Sequence, residues 1–290
     1  MQTSLTIIVP SFNEAASLPK LIDELIAFTH KNNYAVIIVD DASTDETKEI
    51  LAKEYSKTKI NFIRHKVNKG YGGAIKTGIL AAKTKYCITI DADGQHSLSD
   101  IEQLHSVIVS KEADMVVGGR KDTKENVYRK VGKSIIRLFA RMLMKINITD
   151  LNSGMKIYDT ELAKMYLKLC PNSMAYSDVI ALVFINQNHL VIEEPITVKE
   201  RTEGKSTIST RTAIETIGEI LNIVVLFNPM KIFFPVAFFC VAFGISWGLP
   251  FLVAGEGLSV AAMFSLTTGV LFFFLGLLAE QLSLIRKNSL

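Results

Sequence analysis

Short apolar runs alternate with stretches of helical period through the first part of the chain. Leu5 to Val9 precedes Leu18 to Lys31, Ala35 to Val39 precedes Asp45 to Tyr55, and Ile60 to Arg64 precedes Gly72 to Lys83. This alternation predicts a βαβ series. In the first helix Leu18, Leu21, Ile22, Leu25 and Ile26 share one face, with Asn13 or Ser17 as its cap. A strand over Cys87 to Ile90, a helix carrying Leu98, Ile101, Leu104 and Ile108, and a strand over Met115 to Val117 continue the series. The expected class is α/β with a mostly parallel sheet. Open parallel sheets bind ligands beyond the carboxyl ends of their strands, so Asp40, Asp41, Asp91 and Asp93 are expected on one rim.

The pattern changes after residue 128. Lys133, Arg137, Arg141 and Lys145 recur at every fourth position, opposite Val131, Ile135, Leu138, Phe139 and Met142. A helix over 128–145 would therefore be basic on one face and apolar on the other. It suits the headgroup layer of an anionic membrane, although a solvated basic face on a packed helix has the same pattern. A second amphipathic stretch, 211–230, leads into the most apolar part of the chain. From Ile232 to Ala254 and from Gly257 to Ala279 no Asp, Glu, Lys or Arg occurs. Each run can cross ~30 Å of hydrocarbon as a helix, and a pair of buried core helices would need a larger soluble domain around it. The expected organisation is an α/β domain over 1–210, the juxtamembrane helix, and a two-span hairpin over 231–290.

Lys231 precedes the first span, and Arg286 and Lys287 follow the second. The positive-inside rule then puts the α/β domain on the cytoplasmic side of a multi-pass cell-membrane protein. Leu5 to Val9 is too short, and lacks the basic leader, for a signal peptide. Cys87, Cys170 and Cys240 show no metal or redox spacing, which fits a reduced compartment. The net charge of +3 adds little, and no nucleic-acid partner is expected. Gly244, Gly248 and Gly269 would allow close helix packing between subunits, leaving a homo-oligomer open.

The strongest chemical signal is Asp91-Ala92-Asp93-Gly94-Gln95 at the end of an apolar strand. Asp91, Asp93 and Gln95 are hard oxygen ligands suited to Mg²⁺ or Mn²⁺ with positions left for phosphate oxygens. Val9-Pro10-Ser11-Phe12-Asn13-Glu14 and Val39-Asp40-Asp41-Ala42-Ser43-Thr44-Asp45 end two other strands above the same edge. A carboxylate there can accept from a ribose diol or base, while Ser43, Thr44 and Asp45 are expected to cap the next helix. Asn68-Lys69-Gly70-Tyr71-Gly72-Gly73 is not a P-loop, because Ile75 stands where glycine is required; its glycines would permit close backbone packing near the nucleotide. Gly119-Arg120 and Arg201-Thr202-Glu203-Gly204-Lys205-Ser206 offer phosphate-binding cations.

With these motifs in this order, the chain resembles the family 2 glycosyltransferases, and within them the polyprenyl-phosphate (dolichyl-phosphate) sugar synthases, over roughly its first 210 residues. The resemblance implies a Rossmann-like GT-A fold with nucleotide contacts from Pro10, Phe12, Glu14 and Asp41. It further implies metal held by Asp91, Asp93 and Gln95 and phosphates gripped by Arg120 and Arg201. Asp40, Lys69, Gly70 and Ala92 are taken with the substrate-binding set, and Asp93, Arg120, Arg201 and Asp178 with the catalytic one. In close relatives the basic residue usually follows the serine, whereas here Lys205 precedes Ser206, which weakens its assignment to phosphate. Where other relatives carry a Glu-Asp base pair, this chain has Tyr176-Ser177-Asp178, leaving Asp178 as the candidate. The implied reaction is inverting transfer of a hexose from a GDP-mannose or UDP-glucose type donor to dolichyl or undecaprenyl phosphate. A processive polysaccharide synthase would need more spans and a Gln-x-x-Arg-Trp motif, and the one Trp, Trp247, lies inside a span. A membrane-tethered nucleotide-sugar sensor is the alternative from another class.

Overall fold

The computed structural model describes residues 4–54, 60–120, 148–197, 224–225 and 228–288. The chain divides into two compact units, an α/β unit and a carboxyl-terminal unit that contains a helical hairpin.

In the α/β unit the order is β1 (Leu5–Ser11), α1 (Leu18–Asn32), β2 (Ala35–Asp40), α2 (Thr47–Glu54), β3 (Asn61–Arg64), α3 (Tyr71–Ala81), β4 (Tyr86–Thr89), α4 (Leu98–Ser110) and β5 (Met115–Arg120). Then follow β6 (Lys156–Asp159), α5 (Thr160–Tyr166), α6 (Tyr176–Asn186) and β7 (Val191–Ile196). The strands form one seven-stranded sheet in the order β3-β2-β1-β4-β6-β5-β7. Every pairing is parallel except those of β6, which runs against both β4 and β5. The mostly parallel sheet is as expected, and the reversed strand is new. Strand order turns between β1 and β4, and ligands of open parallel sheets bind beyond the carboxyl ends at such a turning point.

Alternation along the strands assigns the two faces. Ile7, Val9, Ile38, Ile88, Val116 and Ile157 share one buried core with Leu18, Leu21, Ile22 and Leu25 of α1 and Ile101, Leu104 and Ile108 of α4. On the other face Ile8 meets Gly78 of α3, and the Tyr158 ring lies 6.3 Å from that of Phe184 in α6. A methyl group at Gly78 would stand 2.3 Å from Ile8 Cγ2, so α3 lies against β1 at a distance only glycine allows.

The expected cap of α1 is corrected in detail. Ser17 holds the capping position without capping the backbone; its hydroxyl donates to Glu14 Oε2 at 2.6 Å. Asn13, in a left-handed conformation, instead accepts from the Thr44 amide at 2.8 Å. Asp45 does cap, accepting from the Thr47 amide at 3.0 Å. Ser43 accepts from the Asn13 amide at 2.9 Å, so it ties two strand ends together rather than starting a helix.

The hairpin comprises α7 (Met230–Val253) and α8 (Val260–Asn288), both apolar and long enough to cross a membrane. Their small residues face each other. Added Cβ atoms at Gly244, Gly248 and Gly269 would lie 2.8 Å from Leu266, 2.8 Å from Ala262 and 2.6 Å from Val241. The Ser265 hydroxyl donates to the Cys240 carbonyl at 2.8 Å across the same seam. These glycines therefore serve packing within the hairpin, which corrects the expectation that they meet another subunit. The helix expected over 128–145, and 211–230 apart from Val224, Val225 and residues 228–230, lie outside the described residues.

Candidate active site

Four loops leave the carboxyl ends of β1, β2, β4 and β5 on one rim, and each carries one of the sequence motifs. Near the end of β1 Pro10 is buried, and Phe12, the first residue past the strand, is 45% exposed. The Glu14 amide donates to Thr47 Oγ1 at 3.1 Å, which joins this loop to the start of α2.

After β2 the two neighbouring aspartates divide their tasks. Asp40 is 0% exposed and accepts from the Arg64 guanidinium and, at 2.9 Å, from the Ser43 amide. It stitches β2 to β3, so the part of Asp40 that the structure shows is structural. Asp41 accepts from the amides of Lys69 and Gly70, both at 2.8 Å, and from His65 Nδ1 at 2.6 Å, while His65 Nε2 meets Thr77 Oγ1 at 2.8 Å. Asp41 thus draws the Asn68–Gly70 loop to the rim. Gly70 there has φ +85°, and a Cβ on it would lie 2.5 Å from the Asn172 carbonyl oxygen. The glycines of this loop admit the Pro171–Asn172 backbone, which supplies the close approach expected of them. Removal of Arg64 leaves a buried, uncompensated carboxylate at Asp40, so Arg64→Met is expected to cost about 3 kcal/mol in thermal or chemical unfolding.

The acidic motif follows β4. Asp91 accepts from Tyr71 Oη at 2.8 Å and meets His96 Nε2 at 3.4 Å. Burial alone would raise its pKa, but the His96 and Tyr71 hydrogen bonds and the charges of His96 and Lys156 outweigh it and hold the carboxyl below its ordinary value. Burial, and then the Asp91 charge, push the Tyr71 phenol well above its usual range, so Tyr71 remains a donor. Asp93 accepts from the Gln95 amide at 3.1 Å around Gly94, whose φ is +71° and whose Cβ position is open space. Ala92 turns its methyl into the core, which leaves its backbone as the part that could meet a substrate.

The fit of these residues to a divalent cation can be judged from donor chemistry. Asp91 is held anionic, and Asp93 stands on a turn open to its surroundings. Among the described residues no three His, Cys, Asp or Glu side chains form a metal cage. Two carboxylates and a carboxamide at an open rim therefore fit a hard cation completed by substrate oxygens rather than a protein-only site.

After β5, Arg120 is not presented as an unengaged clamp. Its Nε donates to Asp150 Oδ2 at 2.7 Å and its Nη2 to Asp150 Oδ1 at 2.9 Å. Burial would raise Asp150, but the Arg120 hydrogen bonds and charge hold it below the usual carboxylate range. Glu193 of β7 fixes this arrangement, accepting from the amides of Thr149 at 2.6 Å and Asp150 at 3.1 Å. Asp178 stands in the first turn of α6. Arg201 and Lys205 lie outside the described residues.

The sequence reading missed Tyr71, His96, Asp150, Lys156 and Glu193. A visible signal existed for one of them: Lys156 interrupts an apolar run between Met155 and Ile157.

Known proteins resemble this chain in sequence and in fold. Residues 6–167 match "Glycosyl transferase family 2", and residues 228–285 match "GtrB C-terminal hairpin". The chain is 30% identical over 180 residues to dolichyl-phosphate beta-glucosyltransferase of Dictyostelium discoideum, a match spanning 55% of this chain and 55% of that relative. It is 30% identical over 209 residues to the UDP-N-acetylglucosamine–dolichyl-phosphate N-acetylglucosaminyltransferase of Methanococcus voltae, covering 65% of this chain and 82% of that one. Its fold resembles glucosyl-3-phosphoglycerate synthase of Mycobacterium tuberculosis solved with phosphoglyceric acid (TM-score 0.62, 15% identity, 77% and 80% coverage). The same enzyme solved with Mn²⁺, UDP-glucose and phosphoglyceric acid aligns with TM-score 0.60 at 15% identity, over 77% of this chain and 80% of that one. The sheet with its acid-tipped β4, the GT-A neighbours and a profile match over more than half the chain agree: this chain belongs to glycosyl transferase family 2.

Proposed function

We propose that the protein transfers a hexose from a nucleotide diphosphate sugar to a polyprenyl phosphate at a membrane surface, with inversion at the anomeric carbon. One observation carries the reading: an acid-tipped β4 and a membrane-length hairpin occur on one chain, as the matched family and hairpin regions lead one to expect. Relatives named for dolichyl-phosphate glucosyl and N-acetylglucosaminyl transfer support the acceptor class.

In this reading Asp91, Asp93 and Gln95 would hold Mg²⁺ or Mn²⁺, which when bound offsets charge on the departing nucleoside diphosphate. Phe12 would stack against the base, and Pro10, Glu14 and the Asp41-anchored loop with Lys69 and Gly70 would border the nucleoside. Arg120, oriented by Asp150, would face the phosphates, joined by Arg201 and Lys205. The acceptor phosphate is already an anion near neutral pH, so attack needs no strong base. Asp178 would then orient rather than deprotonate. Fixing both reactants beside the membrane supplies proximity in place of acid–base help. Lys231 opens α7, and Arg286 and Lys287 close α8, which favours the cytoplasmic face for the open end of the hairpin.

The test is direct. Purified protein in detergent with Mn²⁺, dolichyl phosphate and labelled UDP-glucose or GDP-mannose should yield a butanol-extractable glycolipid, and a chelator should abolish it until Mn²⁺ is restored. Donor binding without lipid product from any sugar nucleotide would instead favour the sensor reading.

A further inference from the structure

Beneath the rim acids lies a cation that the reading above leaves without a task. The Lys156 side chain is 0% exposed, on β6 between Thr89 of β4 and Val117 of β5 in register. Its neighbour Ile157 faces the α1–α4 core, so Lys156 points to the α3–α6 side, from which Tyr71 of α3 reaches Asp91 and where α6 carries Asp178 in its first turn. The ammonium donates to the Ser153 carbonyl. A Cβ on Gly154, the next residue, would be 2.3 Å from Asp91 Oδ2, so the turn that Lys156 fastens is the surface against which Asp91 rests. Burial lowers Lys156 to about 8, while the charges of Asp178, Asp150 and Asp91 draw it back upward. Packing alone gives no reason for an ammonium at this depth, since an isolated buried charge is costly.

We propose that Lys156 is a positioning residue of the transfer site: it is the internal counter-charge that holds Asp91, Asp150 and Asp178 together and offsets their field where an anionic acceptor must approach. The inference rests on the transfer reading above. Three carboxylates act on Lys156, those of Asp178, Asp150 and Asp91, and the Ser153 that it holds donates its amide to the Asp150 carbonyl at 3.4 Å; the acceptor is a phosphate. His96 acts on Asp91 alone among these acids, whereas the fully buried Lys156 is, among the described residues, a positive charge that Asp178, Asp150 and Asp91 all act on.

A charge and a packing element leave different signatures. Lys156→Met keeps the length of the side chain and removes the charge. Mn²⁺, titrated by electron paramagnetic resonance without turnover, is expected to bind roughly tenfold more tightly, while KM for dolichyl phosphate rises roughly tenfold. A packing defect would weaken both. Lys156→Arg should keep both constants within about threefold of the unsubstituted protein, and Lys156→Met with Asp178→Asn should return Mn²⁺ affinity to about that range. The proposal is overturned if Mn²⁺ affinity is unchanged or weaker in Lys156→Met, or if the double variant does not reverse the change. Failure of the unsubstituted chain to make glycolipid counts against the transfer reading and not against Lys156, whose Mn²⁺ titration needs no turnover.

Discussion

Replacing Asp93 by asparagine is expected to reduce sugar transfer by 100- to 1,000-fold, on the order of 3–4 kcal/mol of lost transition-state stabilisation, with the fold intact. Asparagine has the same shape, and its Oδ1 can still accept from the Gln95 amide that closes the turn. What it lacks is the negative charge a hard cation needs. The melting temperature should therefore stay within about 2 °C, because an open-rim carboxylate on a turn contributes little to stability. Mn²⁺ titration and product formation should fall together in this variant. Full activity would remove Asp93 from the site.

The second large effect comes from a residue with no chemistry of its own. Gly154→Ala would place a methyl group 2.3 Å from Asp91 Oδ2 and 2.9 Å from both Cγ and Oδ1 of that carboxylate. Asp91 cannot move aside without losing Tyr71 or His96. The variant is expected to lose about 1–3 kcal/mol of stability through overpacking and at least about 100-fold in transfer, since a misplacement near 1 Å suffices for that. Unlike Asp93→Asn, it should lower the melting temperature as well as Mn²⁺ affinity, and the two measurements together separate a displaced ligand from a missing charge.

The sequence made the sheet readable as far as β5, because each strand there is a short apolar run and each helix has one apolar stripe. The next elements resisted for opposite reasons. Strand β6 is only Lys156–Asp159 and carries a lysine, a residue that argues against a buried strand until its carboxylate neighbours are known. Helix α6 is buried nearly all round, from Tyr176 to Phe184, so it has no polar face to reveal its period. At the site, Asp91 and Asp93 could be singled out because alternate carboxylates at the end of an apolar strand offer hard oxygens to one cation, although so short a pair is specific only with the motifs around it. Asp40 and Asp41 were not separable, since adjacent carboxylates at a strand end point in different directions, and only the fold assigns Arg64 to the first and the Lys69–Gly70 amides to the second. Asp150 and Glu193 were invisible because their roles arise from contacts 30 and 43 residues away.

The hairpin spends its glycines inward. Its outer surface is accordingly studded with rings and branched chains, among them Phe238, Phe239, Phe264, Phe274 and Leu278. Acyl chains fill such a rough surface as readily as another protein does. The pair of helices thus has the character of a stout post whose mutual grip is internal, with its ring-studded exterior left to whatever surrounds it.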